Sequence, residues 1–231
     1  MNIYFLVEGK TERKVYPKWL SHLAPTLKRV SSPSDAVNNN YYLISGGGFP
    51  SILDNHLVDS VSDIQESGKY NYFVIIIDTD DHHAEKKIEE VNQFVENNNL
   101  TFKDCKFIVI PQVVCMETWF LGNRRIYTRN PESSENARIF TKYYNISQSD
   151  PEKMSKPSEY NGSIADYHYQ YLKTMLAEKN IRYSKSNPKE VTEIYYLNEL
   201  KSRVLSEKNS LKSMGEFLSF LSMLKLSSET V

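Results

Sequence analysis

Apolar runs and helical patterns alternate along the first half of the chain. Residues 3–7 and the run YFVIIID, apolar from Tyr72 to Ile77, lack the polar alternation of half-exposed strands, so we expect strands covered on both faces. Two more strands are predicted at Asn40–Ile44 and Lys106–Ile110. Apolar residues at helical spacing separate the strands. The pattern therefore predicts an α/β fold, with a parallel sheet flanked by helices.

The pattern changes near residue 122. In the first half, Val15, Trp19 and Leu23 form one helix face, for which Thr11 is the predicted N-cap. Residues 124–140 are polar and irregular, and three helical segments follow at about 164–180, 189–207 and 211–225. We predict a domain over residues 1–121. Residues 122–231 are predicted to form an insertion loop and a C-terminal helical appendage.

Composition narrows the function classes. The 231 residues contain 28 Lys and Arg against 29 Asp and Glu, so the chain has no general basic surface for nucleic acid, and any such surface is local. The cysteines, Cys105 and Cys115, lack the spacing of a metal motif or a disulfide framework. They indicate a reducing, cytoplasmic environment. No stretch approaches the length of a membrane span, so no membrane partner is expected.

Acidic residues stand where the predicted strands end. Glu8 follows the first strand, Asp78 and Asp80 follow the run YFVIIID, and the glycines Gly46, Gly47 and Gly48 form a turn after the second strand. Because the carboxyl ends of parallel strands share one edge, these carboxylates are expected to converge there. Converging carboxylates repel each other without a counter-charge, and Mg²⁺ prefers oxygen ligands. The pattern therefore predicts a metal site.

These motifs, in this order, resemble the Toprim domain of topoisomerases, primases and OLD-family nucleases. The resemblance covers residues 1–121 and is carried by VEGKTE and IIIDTDD. Glu8 matches the Toprim glutamate, Asp78 and Asp80 match its DxD pair, and Glu12 matches the additional acid of OLD-type proteins. The segment ETWF, at Glu117, resembles the acidic and aromatic segment of small stand-alone Toprim proteins, which are often encoded in phage-defence loci.

The resemblance implies a Rossmann-like Toprim fold and a nuclease that cleaves DNA or RNA with Mg²⁺ or Mn²⁺, in antiviral defence. Glu8, Asp78 and Asp80 are the expected metal ligands, joined by Glu12 and Glu117 if two ions bind. Glu8 is alternatively the general base, and the sequence does not separate these roles. Some Toprim nucleases use a lysine beyond the DxD region, which makes Lys185 the candidate for stabilising transition-state charge. A partner protein or an ATPase encoded nearby is a further implied partner.

Other functions for these motifs remain open. The segment GKT is not part of a P-loop, because the upstream glycine of that motif falls at Tyr4. Phosphatases and glycosyltransferases also carry DxD after a strand, so a small-molecule phosphatase is one alternative. The other alternative is a non-catalytic subunit that binds nucleic acid or acts only with a partner.

The remaining candidates lie outside the acidic cluster. Basic residues interleave with Tyr127 and Phe140 in the polar segment, a combination that grips phosphates and stacks on bases. The predicted nucleic-acid-binding residues are Arg124, Arg125, Arg129 and Arg138. His82 and His83 follow the DxD pair and are interpreted as a solvated helix start rather than as metal ligands.

Overall fold

The computed structural model describes residues 1–131 and 135–228. The strands are β1 (Asn2–Val7), β2 (Lys28–Arg29), β3 (Asn40–Ser45), β4 (Tyr72–Asp78) and β5 (Lys106–Gln112). The α-helices are α1 (Lys10–Leu23), α2 (Val58–Ser67), α3 (Ala84–Asn97), α4 (Met116–Phe120), α5 (Glu135–Tyr143), α6 (Ile164–Ala177), α7 (Lys189–Thr192), α8 (Ile194–Ser206) and α9 (Lys212–Ser228). A π-helix, Ile52–Leu57, runs directly into α2. Short 3₁₀ turns lie at Pro33–Asp35, Arg124–Ile126 and Pro151–Lys153.

The strands form one parallel sheet in the order β2-β3-β1-β4-β5. Strand β1 is central and pairs with β3 on one side and β4 on the other, so that Val7 lies opposite both Ser45 and Ile76. The predicted parallel α/β fold is confirmed. Strand β2, which the sequence did not predict, has only two residues and pairs with Asn40 and Tyr41.

The chain divides into two compact units. The first contains Met1–Ile77 and His83–Pro111, and the second contains Asp78–His82 and Gln112–Leu226. This division begins the second unit earlier than the predicted boundary at residue 122. The reason is that α4 packs on α6, and its Trp119 stacks with Phe217 of α9 at a centroid distance of 6.0 Å.

In the first unit, the sheet is buried on both faces. The side chains of Tyr4, Leu6 and Ile75 pack with the π-helix, α2 and Val91 of α3 in one apolar cluster. The intervening residues of β1 are also buried and point to the opposite face, the face whose helix is α1, which contacts β3. Burial of both faces explains why β1 and β4 show continuous apolar runs.

The second unit is helical, and its core is rich in aromatic residues. Helices α5 and α6 meet through Phe140 and Tyr171, whose rings stack at 5.0 Å. Arg203 of α8 is 2% exposed, and its guanidinium donates hydrogen bonds to the carbonyls of Gly122, Ile146 and Ser149. A buried charge is thus stabilised by carbonyl acceptors, which also tie α8 to three loops.

Two local predictions were wrong. Helix α1 begins at Lys10 with Gly9 as its N-cap, and Thr11 lies buried in the first turn. The backbone of Gly9 is extended, as is usual at an N-cap, and glycine has no side chain that could cap the helix. The segment predicted to be irregular contains α5, whose residues Ala137 and Phe140 are buried. Residues 132–134 of that segment lie outside the described residues.

None of the helices in the described ranges combines the length and the apolar character needed to cross a membrane.

Candidate active site

The backbone of Glu8 is held by the turn that follows β3. The carbonyl of Glu8 accepts hydrogen bonds from the backbone amide of Gly48, at 3.0 Å, and from the hydroxyl of Ser45, at 3.2 Å. The side chain of Glu8 is half-buried. The glycine turn therefore fixes the strand end that carries the first predicted site residue.

Glycine is required at each position of this turn. A Cβ on Gly46 would lie 2.5 Å from the Cβ of Ile52, closer than any real contact. Gly47 and Gly48 have φ angles of +73° and +98°, which residues with a side chain rarely adopt. In the structure these glycines let the chain approach Glu8 closely.

Glu12 folds back over the turn between β1 and α1. Its side chain is only 5% exposed, and a Cβ added to Gly9 would lie 2.6 Å from its Oε2 atom. A carboxylate in the first turn of a helix is stabilised by the helix dipole. The position of Glu12 beside Gly9 therefore has a structural explanation.

The connections that follow β1 and β4 lead to opposite sides of the sheet. The connection that leaves β1 leads to β2 and β3, whereas the connection that leaves β4 leads to β5 on the other side of the sheet. Adjacent parallel strands whose connections diverge form a topological switch point, where open α/β sheets bind their ligands. Glu8 directly follows β1, and Asp78 is the last residue of β4.

Within the second unit, the DxD segment is fixed by backbone contacts with the residues that follow β5. The amide of Thr79 donates to the carbonyl of Gln112 at 3.0 Å, and the amide of Asp80 donates to the carbonyl of Val114 at 3.0 Å. The amide of Val114 donates to the hydroxyl of Thr79 at 2.8 Å. These three bonds position the buried Thr79 between the two aspartates.

The same contacts hold two residues in a strained conformation. Asp80 has a φ angle of +49° and Val114 one of +63°, and positive φ is a genuine outlier for a β-branched residue. Such strain costs about 1–3 kcal/mol per residue and is concentrated at functional sites. The strain therefore supports a functional role for this segment.

Gln112, the last residue of β5, is a further candidate that the sequence did not predict. It is fully buried, yet its side-chain amide makes no hydrogen bond to any described residue. Buried amides without a protein partner are rare, and each calls for an explanation such as water or an ion. Its amide oxygen is also a hard ligand of the kind that Mg²⁺ prefers.

Glu117 is brought together with Lys185, although the two are far apart in sequence. The carboxylate of Glu117 is 2% exposed and accepts a hydrogen bond of 2.9 Å from the hydroxyl of Tyr183. Its other oxygen lies 3.9 Å from Nζ of Lys185. Burial raises the pKa of Tyr183, and the charge of Glu117 raises it further, so the phenol stays protonated and donates. The sequence indicated Glu117 and Lys185 but not the tyrosine between them.

The thiol of Cys115, the residue before α4, is buried. Burial raises the pKa of the Cys115 thiol, and the charges of Glu117 and Asp78 act in the same direction. The thiol remains protonated at neutral pH and is unsuited to nucleophilic catalysis.

Polar contacts on three successive residues hold α4, the helix that carries Glu117. The hydroxyl of Thr118 bonds Nδ1 of His168 at 2.8 Å, and Nε2 of the same ring donates to the carbonyl of Met154 at 2.9 Å. Burial lowers the pKa of His168 to about 4, so the ring is neutral. Trp119 donates to Ser213 at 2.7 Å, and the carbonyl of Phe120 accepts from Tyr196.

The predicted nucleic-acid-binding arginines are partly engaged in other contacts. Arg124 pairs with Glu207, and Arg125 pairs with Glu199 at 2.8 Å. Arg129 and Arg138 are exposed. Phe140, which the sequence analysis assigned to base stacking, is instead 8% exposed in the core of the second unit, because it faces α6.

The described residues contain no group of three or more His, Cys, Asp or Glu side chains arranged to hold a metal ion. His82 and His83 are exposed, and His83 directly precedes α3, as the solvated helix start predicted. Mg²⁺ in phosphate-processing sites commonly binds through one or two carboxylates and completes its shell with water and substrate phosphate. Asp78 and Asp80, both in the second unit, are two carboxylates of this kind.

Comparison with protein-family models, with curated proteins and with solved structures finds no match to this chain.

Proposed function

We propose that the chain is a metal-dependent nuclease that hydrolyses phosphodiester bonds in DNA or RNA. The observation that supports this most directly is the switch point of the sheet, where Glu8 follows β1 and Asp78 ends β4. The strained backbone at Asp80 and Val114 adds to this support, and so does the buried amide of Gln112, to which no described residue forms a hydrogen bond. The Toprim-like order of the motifs points to the same chemistry.

In this proposal, Glu8, Asp78 and Asp80 hold Mg²⁺ or Mn²⁺, and Glu12 and Glu117 are the acids that could serve a second ion. The ion, when bound, polarises the phosphoryl oxygens and lowers the pKa of a coordinated water. Glu8 acts either as a ligand or as the base that removes the proton of the attacking water. The ammonium of Lys185, which Glu117 orients, stabilises the negative charge that develops on the phosphate.

The biological setting is also part of the proposal. The resemblance to stand-alone Toprim proteins supports a role in antiviral defence, with a partner protein or an ATPase encoded nearby. Cys105 and Cys115 are both buried and unbridged, which supports a reducing, cytoplasmic location.

A non-catalytic subunit that binds nucleic acid is the second candidate. The observation that favours it is that the described residues contain no preformed group of three metal ligands. Such a subunit would bind oligonucleotides and cut none of them when tested alone.

The test compares the wild type with Asp78→Asn on plasmid DNA, single-stranded DNA and transfer RNA, with Mg²⁺, Mn²⁺ or EDTA. Asp59→Asn is the matched control, because it removes an exposed carboxylate from α2. We expect cleavage that requires the metal, falls by orders of magnitude in Asp78→Asn and is unchanged in Asp59→Asn. Cleavage that survives EDTA, or that a folded Asp78→Asn protein retains in full, would show the proposal to be wrong.

A further inference from the structure

The first unit contains an open cleft of about 520 Å³ along the outer edge of β3. It exists because β2 pairs only with Asn40 and Tyr41 and then ends, whereas β3 continues to Ser45. The polar side chains that line the cleft are Arg13, Arg29, Ser31, Tyr42 and Ser45.

Two arginines give this cleft a positive charge. Arg13 comes from the first half of α1 and Arg29 from β2, and within the described residues neither forms an ion pair with a carboxylate. Nη2 of Arg29 donates to the carbonyl of Leu43 at 3.3 Å, which holds its guanidinium along β3. Both side chains are exposed and retain donors for a ligand.

Tyr42 lines the cleft together with both arginines. Burial raises the pKa of its phenol, and the charges of Arg29 and Arg13 oppose that shift. Asp63 is the carboxylate that acts on Tyr42 from the packed helix α2, and it already accepts a hydrogen bond of 2.7 Å from the hydroxyl of Tyr4. The cleft therefore presents two cations, and no carboxylate is among the described residues that line it.

We propose that this cleft binds a phosphate group of a nucleic-acid strand, with Arg13 and Arg29 as the anion-binding residues. The planar guanidinium donates paired hydrogen bonds that match phosphate oxygens. The hydroxyls of Ser31 and Tyr42 supply further donors at the same surface.

The position of the cleft connects it to the candidate active site. Ser45, at the end of the cleft, donates its hydroxyl to the carbonyl of Glu8. A strand held along β3 would therefore be led towards the Glu8 turn. This assignment of the phosphate to the substrate strand rests on the proposed nuclease function, whereas binding of phosphate in the cleft does not.

The experiment measures binding of a 3′-fluorescein-labelled 12-mer of deoxythymidine by fluorescence anisotropy, in EDTA and over a range of NaCl concentrations. The variant is Arg13→Ala with Arg29→Ala. Its matched control is Lys18→Ala with Lys28→Ala, which removes the same charge from α1 and β2 at exposed positions that do not line the cleft. Thermal melting checks that both variants fold.

We expect the arginine variant to bind at least about 10-fold more weakly at low salt, since it cannot form the charge-assisted hydrogen bonds to phosphate. Its salt dependence, the slope of log K against log of salt concentration, should become shallower by about 0.7 for each phosphate that the protein no longer neutralises. Inorganic phosphate should compete with the oligonucleotide on the wild type and have less effect on the arginine variant. A comparison of 5′-phosphate and 5′-hydroxyl oligonucleotides identifies whether a terminal or a backbone phosphate is held.

Three results would overturn the proposal: no oligonucleotide binding by the wild type, unchanged affinity and slope in the arginine variant, or an equal loss of affinity in the lysine control. A different result would contradict the nuclease proposal alone. In that case the wild type binds the oligonucleotide through Arg13 and Arg29 but cleaves nothing when Mg²⁺ or Mn²⁺ is added.

Discussion

Glu152 is a partly buried acid whose titration should be visible in the stability of the protein. Its carboxylate accepts hydrogen bonds from the backbone amide and the hydroxyl of Ser213, at 3.1 Å and 2.6 Å. The same hydroxyl accepts from the indole of Trp119 at 2.7 Å, which connects Glu152 to α4. Burial raises the pKa of Glu152 to about 7, against the lowering effect of the Ser213 hydrogen bonds, and the charge of Asp150 adds to the increase.

The sign of the effect follows from which state holds the proton more tightly. The folded protein binds a proton at Glu152 with a pKa of about 7, and the unfolded chain binds it with a pKa of about 4.5. The stabilisation that results is complete below about pH 4.5 and is lost as the pH rises through about 7. At about 1.36 kcal/mol for each pKa unit, this difference corresponds to roughly 3 kcal/mol.

Glu152→Gln removes this titration and keeps an oxygen that can accept from Ser213. We expect the variant to match the wild type at pH 4.5 and to exceed it by roughly 3 kcal/mol at pH 8.5, or about 6–12 °C in melting temperature. The assay is urea unfolding followed by tryptophan fluorescence at several pH values. Glu159→Gln, at an exposed position in the same unit, is the control and should follow the wild type. If Glu152→Gln retains the pH dependence of the wild type, the carboxylate titrates in its ordinary range and the reasoning fails.

Two further substitutions test buried polar contacts in the second unit. Arg203→Met should destabilise the protein by at least about 3 kcal/mol, because the carbonyls of Gly122, Ile146 and Ser149 lose their charged donor; urea unfolding measures this, and a destabilisation below about 1 kcal/mol would contradict it. Tyr183→Phe keeps the ring and removes the donor to Glu117, so we expect a destabilisation of about 1.5–3 kcal/mol in the same assay, and unchanged stability would mean that this hydrogen bond contributes little.

The core strands were predictable from sequence because a strand that is buried on both faces has a continuous apolar run. The run from Tyr72 to Ile77 is apolar throughout, and the structure places β4 over Tyr72–Asp78. Strand β2 was not predicted because it consists of two exposed residues, Lys28 and Arg29, which have no apolar pattern. Helix α5 was missed for a related reason: its neighbouring residues are polar, and its apolar face is explained only by α6.

The candidate site was predictable only where its residues lie at strand ends. The positions of Glu8 and Asp78 follow from the carboxyl edge of a parallel sheet. Tyr183 was missed because its importance comes from a hydrogen bond to a distant residue, Glu117. Gln112 was missed because the sequence does not show that its amide is buried. The arginines of the β3 cleft were missed because the cleft arises from the shortness of β2, which the sequence did not predict.

The second unit is discontinuous, because the five residues Asp78–His82 fold with Gln112–Leu226 rather than with the strand that precedes them. A fragment that ends at Pro111 therefore lacks the carbonyls of Gln112 and Val114 that accept the amides of Thr79 and Asp80. The metal-binding loop of the proposed enzyme would be released in such a fragment even if the sheet folded. In the intact chain, hydrogen–deuterium exchange at the amides of Thr79 and Asp80 therefore reports the local opening of the acidic loop from Gln112 and Val114.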